Sequence, residues 1–251
     1  LTIIIILLII TFRLIVHKPC NEFNKNLEVI AGQSIDFENA EIRGKEVITN
    51  GQHLLIHKSA NISENSSVRI DNKNNKSILI KLTPKEGRNE LMVADIPNNT
   101  KKYIGFSVLF PTEYKIPKDW NLFAQWWQGA PASPPIAFEI TPNTESFEMR
   151  ILTRYGHYQD KNVDVQYNDF IQKGEWIDFI IEMRIDDSGE DNGILNVWKN
   201  GEQIVNYKGP LGYTNMNDKT NFRVGLYRYP FINTSVSTYY DNIIIGDQIK
   251  R

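Results

Sequence analysis

From residue 33 to the C-terminus, apolar and polar positions alternate in short runs, and the 3.6-residue period of helices is nearly absent. Asn, Gly, Pro and Asp break these runs, a pattern that predicts an all-β sandwich or barrel. The early candidate strands are Ile35–Ile42, His53–His57, Ser67–Ile70, Ser77–Leu82, Asn89–Asp95, Tyr103–Phe110, Asn121–Trp127 and Ile136–Thr141. The later ones are clearer. In Ser146–Tyr158, Phe147, Met149, Ile151, Thr153 and Tyr155 share one face, and Arg150, Leu152 and Arg154 share the other. In Trp176–Asp186, Ile177, Phe179, Ile181, Met183 and Ile185 form an unbroken inner face, with Ile180 the exception on the outer one. Ile194–Trp198 and Gln203–Tyr207 flank Asn200-Gly201, which supplies the positive φ angles of a tight hairpin. Asn221–Tyr229 alternates Phe222, Val224 and Leu226 against Arg223, Gly225, Tyr227 and Tyr229. Thr238–Gly246 predicts a buried closing strand, and Gln159–Lys173, without clear pattern, a loop over a cleft.

Residues 1–16 (LTIIIILLIITFRLIV) form a separate regime: strongly apolar, short of a span of about 20 residues, and interrupted by Arg13. The run predicts a signal peptide or signal anchor over residues 1–20, a linker over 21–32 and one domain over 33–251, hence a secreted, periplasmic or cell-surface location. The single cysteine, Cys20, lies beside the leader, so the domain has no disulfide to lean on. A net charge of −2 gives no argument for nucleic acid.

Candidate chemistry centres on Trp120–Pro135 (WNLFAQWWQGAPASPP), which starts as a strand, ends in a loop and holds three of the five tryptophans. With Phe123 and Trp126 in the core, Gln125 and Trp127 point the other way. An amide beside an indole suits sugar, and a wide aromatic core layer is the alternative. Gly87–Leu91 and Asn221–Arg228 also space polar residues by two, so Arg88, Gln125 and Tyr227 can share one concave face. Arg and Gln can bind a carboxylate, and Tyr can move a proton. That set suits β-elimination on a uronic acid polymer. The C5 proton is α to a carboxylate, and its removal builds negative charge that an Arg and an amide stabilise. A tyrosine can protonate the leaving O4, and can act as base where guanidiniums such as Arg223 and Arg228 stand near it. Arg150, Arg154 and Arg223 would make a basic cleft able to steer a polyanion. His53 and His57 share a strand face without an acidic or Cys partner at metal spacing, and read as structural.

On these residues the chain resembles the β-jelly-roll polysaccharide lyases of the heparin lyase I and glucuronan lyase type, with a scheme shared by jelly-roll alginate lyases. Their Arg-x-Glu-Leu, Gln-x-His and (Phe/Tyr)-x-x-Gly-(Ile/Val)-Tyr strands look like Arg88–Leu91, Gln125–Trp127 and Phe222–Tyr227. Phe-Ala-Gln-Trp followed by Gly-Ala-Pro at 129–131 is similar to the heparin lyase I pattern. The resemblance implies a two-sheet, concanavalin-like jelly-roll sandwich with a concave substrate groove. It implies that Arg88 and Gln125 neutralise the uronate and that Tyr227 donates the proton. It also exposes a departure: the family histidine is Trp127 here, or Gln128 with one residue inserted, and neither can be a general base. Three answers stay open: His157 swings in from a neighbouring strand, Tyr227 is both base and acid, or the groove only binds.

The expected function is cleavage of a uronate-containing chain (glucuronan, heparin-like or alginate-like) by β-elimination, with Trp127, Gln128, Arg150, Arg154, Arg223, Arg228 and Tyr229 contacting an acidic polysaccharide. The alternative is a non-catalytic carbohydrate-binding relative. A jelly-roll glycoside hydrolase would need two groove carboxylates about 5–10 Å apart, and no such acidic strand is present. The chemistry requires no cofactor. The resemblance implies a structural Ca²⁺ at Glu38 and Asp241, and a monomer is expected.

Overall fold

A computed structural model describes residues 28–58, 68–71, 76–142, 144–230 and 232–250. The apolar leader, Cys20 and most of the expected linker lie outside the described residues. In chain order the strands are β1 (Glu28–Ile35), β2 (Glu41–Arg43), β3 (Glu46–Thr49), β4 (Gln52–Lys58), β5 (Val68–Asp71), β6 (Ser77–Leu82), β7 (Arg88–Pro97), β8 (Lys102–Leu109) and β9 (Asn121–Trp127). They continue with β10 (Ile136–Ile140), β11 (Glu148–His157), β12 (Asp160–Phe170), β13 (Trp176–Arg184), β14 (Gly193–Lys199), β15 (Glu202–Gly209), β16 (Gly212–Tyr213), β17 (Lys219–Arg228) and β18 (Val236–Lys250).

These strands form two sheets of jelly-roll lyase type, one strongly curled. One runs β15-β14-β13-β8-β18-β6-β5, with β1 on β18. The other runs β12-β11-β10-β9-β17-β7-β4-β3-β2, with the short β16 on β11. The inner faces meet in one aromatic and aliphatic core. Phe106, Phe138, Phe179, Phe222 and Trp126 are fully covered, and Trp126 stacks on Phe222 at 4.9 Å. Burial of this apolar area is the main favourable term of the fold. The predicted inner faces of β13 and β17 enter it, as do Phe147, just before β11, and Met149 and Ile151 of β11 but not Tyr155, while Ile180 packs on the opposite side of its sheet with Tyr103 and Trp198.

Phe123 and Trp126 both enter the core although three residues apart, which a regular strand forbids. The pairing slips on both sides of β9, between Phe138 and Glu139 and between Val224 and Tyr227. Such bulges re-aim side chains, leaving Leu122, Gln125 and Trp127 on the opposite face. The Tyr240 hydroxyl, reaching across from β18, lies 2.8 Å from the Phe123 carbonyl and 2.9 Å from that of Gly225, so it pins the irregularity from beneath. Gly225 has φ +139°, and a Cβ there would meet Asn89 O and Glu90 Cα at 2.6 Å, so only glycine lets β17 pass β7 this closely.

Two expectations need correction. Gln159–Lys173 is mostly the edge strand β12, paired along β11, and not a loop. Glu28–Ile35 is a strand on β18, so ordered pairing starts within the expected linker, while Ile35–Ile42 is not one strand.

Candidate active site

The sheet that holds β7, β9 and β17 carries an open cleft of about 640 Å³, lined by Arg88, Gln125 and Tyr227 together with Trp127 and residues of the 130–134 loop. Its volume is in the range of ligand pockets. Three strands deliver the first three: Tyr227 on β17 faces Arg88 on β7, and β9 flanks β17 on the other side. The Arg88 guanidinium carbon lies 3.7 Å from the centre of the Tyr227 ring, and Trp120 meets that ring edge-on at 4.8 Å.

Beneath them lies Glu90, 1 % exposed. Gln125 Nε2 donates to its Oε1. Arg88 Nε stands 3.2 Å from Oε2, paired by charge without the alignment of a hydrogen bond. Arg223 Nη1 is 3.9 Å from the same oxygen. Burial pushes the Glu90 carboxyl up, against the pull of Arg88, Gln125 and Arg223. Gln125 is itself 1 % exposed, so its first engagement is with Glu90; an amide nitrogen has a second hydrogen to offer the cleft.

His57, which the sequence pattern reads as structural, is the main addition. It pairs with Glu90 across β4 and β7, and its Nδ1 accepts from Arg223 Nη1. Burial, then Arg223 and Arg88, lower its pKa from 6.5 to about 4. His53, on the same face, bonds Glu46 at 3.0 Å instead. The signal for His57 was present in the period of β4, but the pairing of β4 with β7 is non-local and leaves no local mark.

Trp127 lines the cleft with its Nε1 donating to Ala132 O at 2.8 Å, which ties down the loop, and with Arg223 4.5 Å from its ring centre. Arg150 is held by both oxygens of buried Glu139 at 3.1 Å. Arg154 donates to Pro134 O at 2.7 Å, and burial lowers its pKa. Both still line the cleft, joined at the rim by Lys161, Val163 and Val165 of β12, which the sequence pattern did not single out.

Five expected positions fall elsewhere. Arg223 is 4 % exposed and absent from the cleft lining, held by His57, Asn221 and the ring of Trp127. Arg228 is fully buried on the core face of β17, donating to the Glu86 and Thr83 carbonyls, because its place in the alternation is opposite to that of Tyr227. Gln128 is also buried and exchanges hydrogen bonds with the Tyr213 backbone. Tyr229 is exposed just past the end of β17 and outside the cleft lining. His157 is exposed and stacks on Tyr158. Across the sheet Tyr227 is level with Leu122, Glu139 and Arg150, and His157 is seven residues beyond Arg150 on β11. At the rise of a strand that is about 23 Å, so His157 is out of reach of Tyr227.

The chain's residues 32–244 match the family model described as "Polysaccharide lyase". The chain belongs to the polysaccharide lyase family. Among solved structures, this lyase-family chain is similar to the endo-β-1,4-glucuronan lyase of the fungus Trichoderma reesei, at 14% identity and a TM-score of 0.61, covering 87% of this chain and 96% of that one. It is also similar to the alginate lyase AlyC3, at 12% identity and a TM-score of 0.55, covering 90% of each. For the family-7 alginate lyase A1-II′ the values are 14% and 0.52, over 71% of this chain and 82% of that one. At such identities the likeness concerns the fold alone. No curated protein sequence matches the chain.

The expected calcium ligands of this lyase-family chain are Glu38 and Asp241. Asp241 is buried, and burial, then Glu38, Asp36 and Asp178, raise its pKa to about 6. Glu38 Oε1 accepts from Lys76 N at 3.1 Å, and the Lys76 ammonium occupies the Glu38 carbonyl. Calcium takes six to eight oxygens, and among the described residues no group of three or more His, Cys, Asp or Glu is placed to hold a metal. Glu38 and Asp241 supply carboxylate oxygens, and the rest of a calcium shell would have to come from backbone carbonyls and water.

Proposed function

We propose that this protein cleaves a uronate-containing polysaccharide by β-elimination, with Tyr227 carrying the proton. The observation that carries the reading is the convergence of Arg88, Gln125 and Tyr227, from three strands, on one cleft. The similar structures' names, a glucuronan lyase and alginate lyases, point to the same substrate class.

The phenolate oxygen of Tyr227 takes the C5 proton, and the electrons of the C5–H bond become the C4=C5 double bond. The C4–O4 bond breaks, its pair leaves on O4, and the proton passes from Tyr227 to that oxygen. Charge builds on the carboxylate as C5 is deprotonated, where Arg88 and the second Gln125 N–H stand ready. Glu90 fixes Arg88 and Gln125 by contacts that need no substrate, the preorganisation such a site requires. Arg150, Arg154 and Lys161 give the rest of the cleft a basic lining for the polymer. The N-terminal apolar run fits an exported enzyme that meets its substrate outside the cell.

One observation favours a second reading, a groove that only binds. Trp127 stands where the family motif has histidine, and Arg223 beside it and Arg150 in the same cleft are engaged with protein partners. Incubation with glucuronan, alginate and heparin separates the two. Ultraviolet absorbance from a new unsaturated end, lost in Tyr227→Phe, supports the elimination. Retention on the polymer with no product would reject it.

A further inference from the structure

Four side chains hold Arg223, which is 4 % exposed. Its Nη1 donates to His57 Nδ1, and its Nη2 donates to Asn221 Oδ1 at 2.7 Å. Trp127 covers one face of the guanidinium, and Glu90 supplies the counter-charge. Asn221 is fixed in turn by Asp95, which also pairs with Lys219. Burial lowers the Arg223 pKa and Glu90 opposes it, and an arginine remains a cation in a protein.

A guanidinium has hydrogens to donate and no lone pair to offer. The hydrogen between Arg223 and His57 therefore belongs to Arg223, and His57 Nδ1 contributes the lone pair. A neutral imidazole has one N–H, and with Nδ1 bare that hydrogen sits on Nε2. We propose that Arg223, clamped by Trp127 and Asn221, is a positioning residue that fixes His57, half-exposed beside the cleft and not among its lining side chains, as its Nε2–H tautomer, so that His57 offers a hydrogen-bond donor and not a base.

The surroundings of His57 agree. Glu90 and Arg88 face it from β7 and Arg223 from β17, while Glu46 on the β3 side is occupied by His53. Burial and the two guanidiniums keep the ring neutral down to about pH 4. Trp127 at the family's histidine position then has a purpose: its ring presents the π face that steadies Arg223, a cation–π contact. The role of His57 toward substrate rests on the elimination reading, in which its Nε2–H would share the charge growing on the uronate carboxylate while Tyr227 moves the proton.

The test uses the full chain labelled with ¹⁵N, with imidazole nitrogen shifts followed from pH 4 to 8. The expected result is a His57 bearing hydrogen on Nε2 alone at pH 7 and unprotonated at pH 5.5. In Arg223→Gln its titration moves toward 6.5 and the tautomers mix, which a purely structural Arg223 would not cause. Hydrogen on Nδ1 in the wild type, or a wild-type ring charged at pH 6, overturns the proposal. In the lyase assay, His57→Ala is expected to lose about 100- to 1,000-fold in kcat/KM, the usual effect of deleting one such donor, while His57→Gln, which keeps an N–H but has no basic nitrogen, keeps about a tenth or more. Equal loss in both variants also overturns it. Wild-type protein that forms no unsaturated product from any uronan rejects the elimination alone, since the nitrogen shifts still decide the tautomer.

Discussion

Arg150 and Glu139 show what a paired charge costs when one half is removed. Glu139 is 1 % exposed, and both its oxygens take a hydrogen bond from Arg150. Arg150→Ala leaves a carboxylate in the cleft floor without its partner. We expect a loss of about 2–4 kcal/mol, somewhat below the fully buried case because the guanidinium is partly solvated. Urea unfolding measures it, and the double variant with Glu139→Gln should recover most of the loss. A change under about 0.5 kcal/mol in the single variant would contradict the pairing. At this scale the sequence was informative about residue type and weak about partners. Arg88, Gln125 and Tyr227 were legible because each sits at period-two spacing beside a recognisable strand. Arg228 was misplaced by one step of the alternation, and His57 was overlooked because its partners, Glu90 and Arg223, lie 33 and 166 positions away in the chain.

The irregular pairing around β9 decides which side chains enter the cleft. Two slips in register let Phe123 and Trp126 face the core while Gln125 and Trp127 face the cleft. Tyr240 secures this from the other sheet. Tyr240→Phe removes one buried donor shared by two carbonyls, and should cost about 1–2 kcal/mol in denaturant unfolding with the fold retained. An unchanged midpoint would show that the bulge stands without it. Strand existence was readable from alternation in β11, β13, β14, β15 and β17. The bulges were not, since a register slip depends on what the neighbouring strand offers. The β12 edge was missed for a related reason: with one side unpaired and most of its residues solvated, it shows little of the contrast between faces that marks an inner strand.

For the whole molecule, one buried and one half-buried group tilt stability with pH in opposite directions. Asp241 has a folded pKa of about 6 against 3.8 in the unfolded chain. The native state holds its proton more tightly, so this group favours folding fully below about pH 4 and loses that advantage as pH rises through 6. Asp241→Asn should therefore be more stable than wild type at pH 7.5, by up to about 3 kcal/mol, and level with it at pH 4. His57 runs the other way: its folded pKa is depressed to about 4 from 6.5, so its contribution is present above 6.5 and lost as pH falls through 4. Thermal unfolding of Asp241→Asn across this range isolates the first effect. A gap between variant and wild type that does not grow from pH 4 to 7.5 would contradict it. The all-β class was the most legible feature of the chain, because the alternation of most strands repeats the same message about a shared core, while the two-sheet jelly roll was read from the family resemblance.

The central claim is that one tyrosine, seated on Arg88, transfers a proton in cleaving an acidic sugar chain. Its most direct measurement is the growth of ultraviolet absorbance when wild type and Tyr227→Phe are each mixed with an unsulfated polyuronate. The account predicts unsaturated product from the wild type, and from the phenylalanine variant, still folded and still bound to the polymer, a rate lower by at least about 1,000-fold. Equal rates from the two proteins would contradict it.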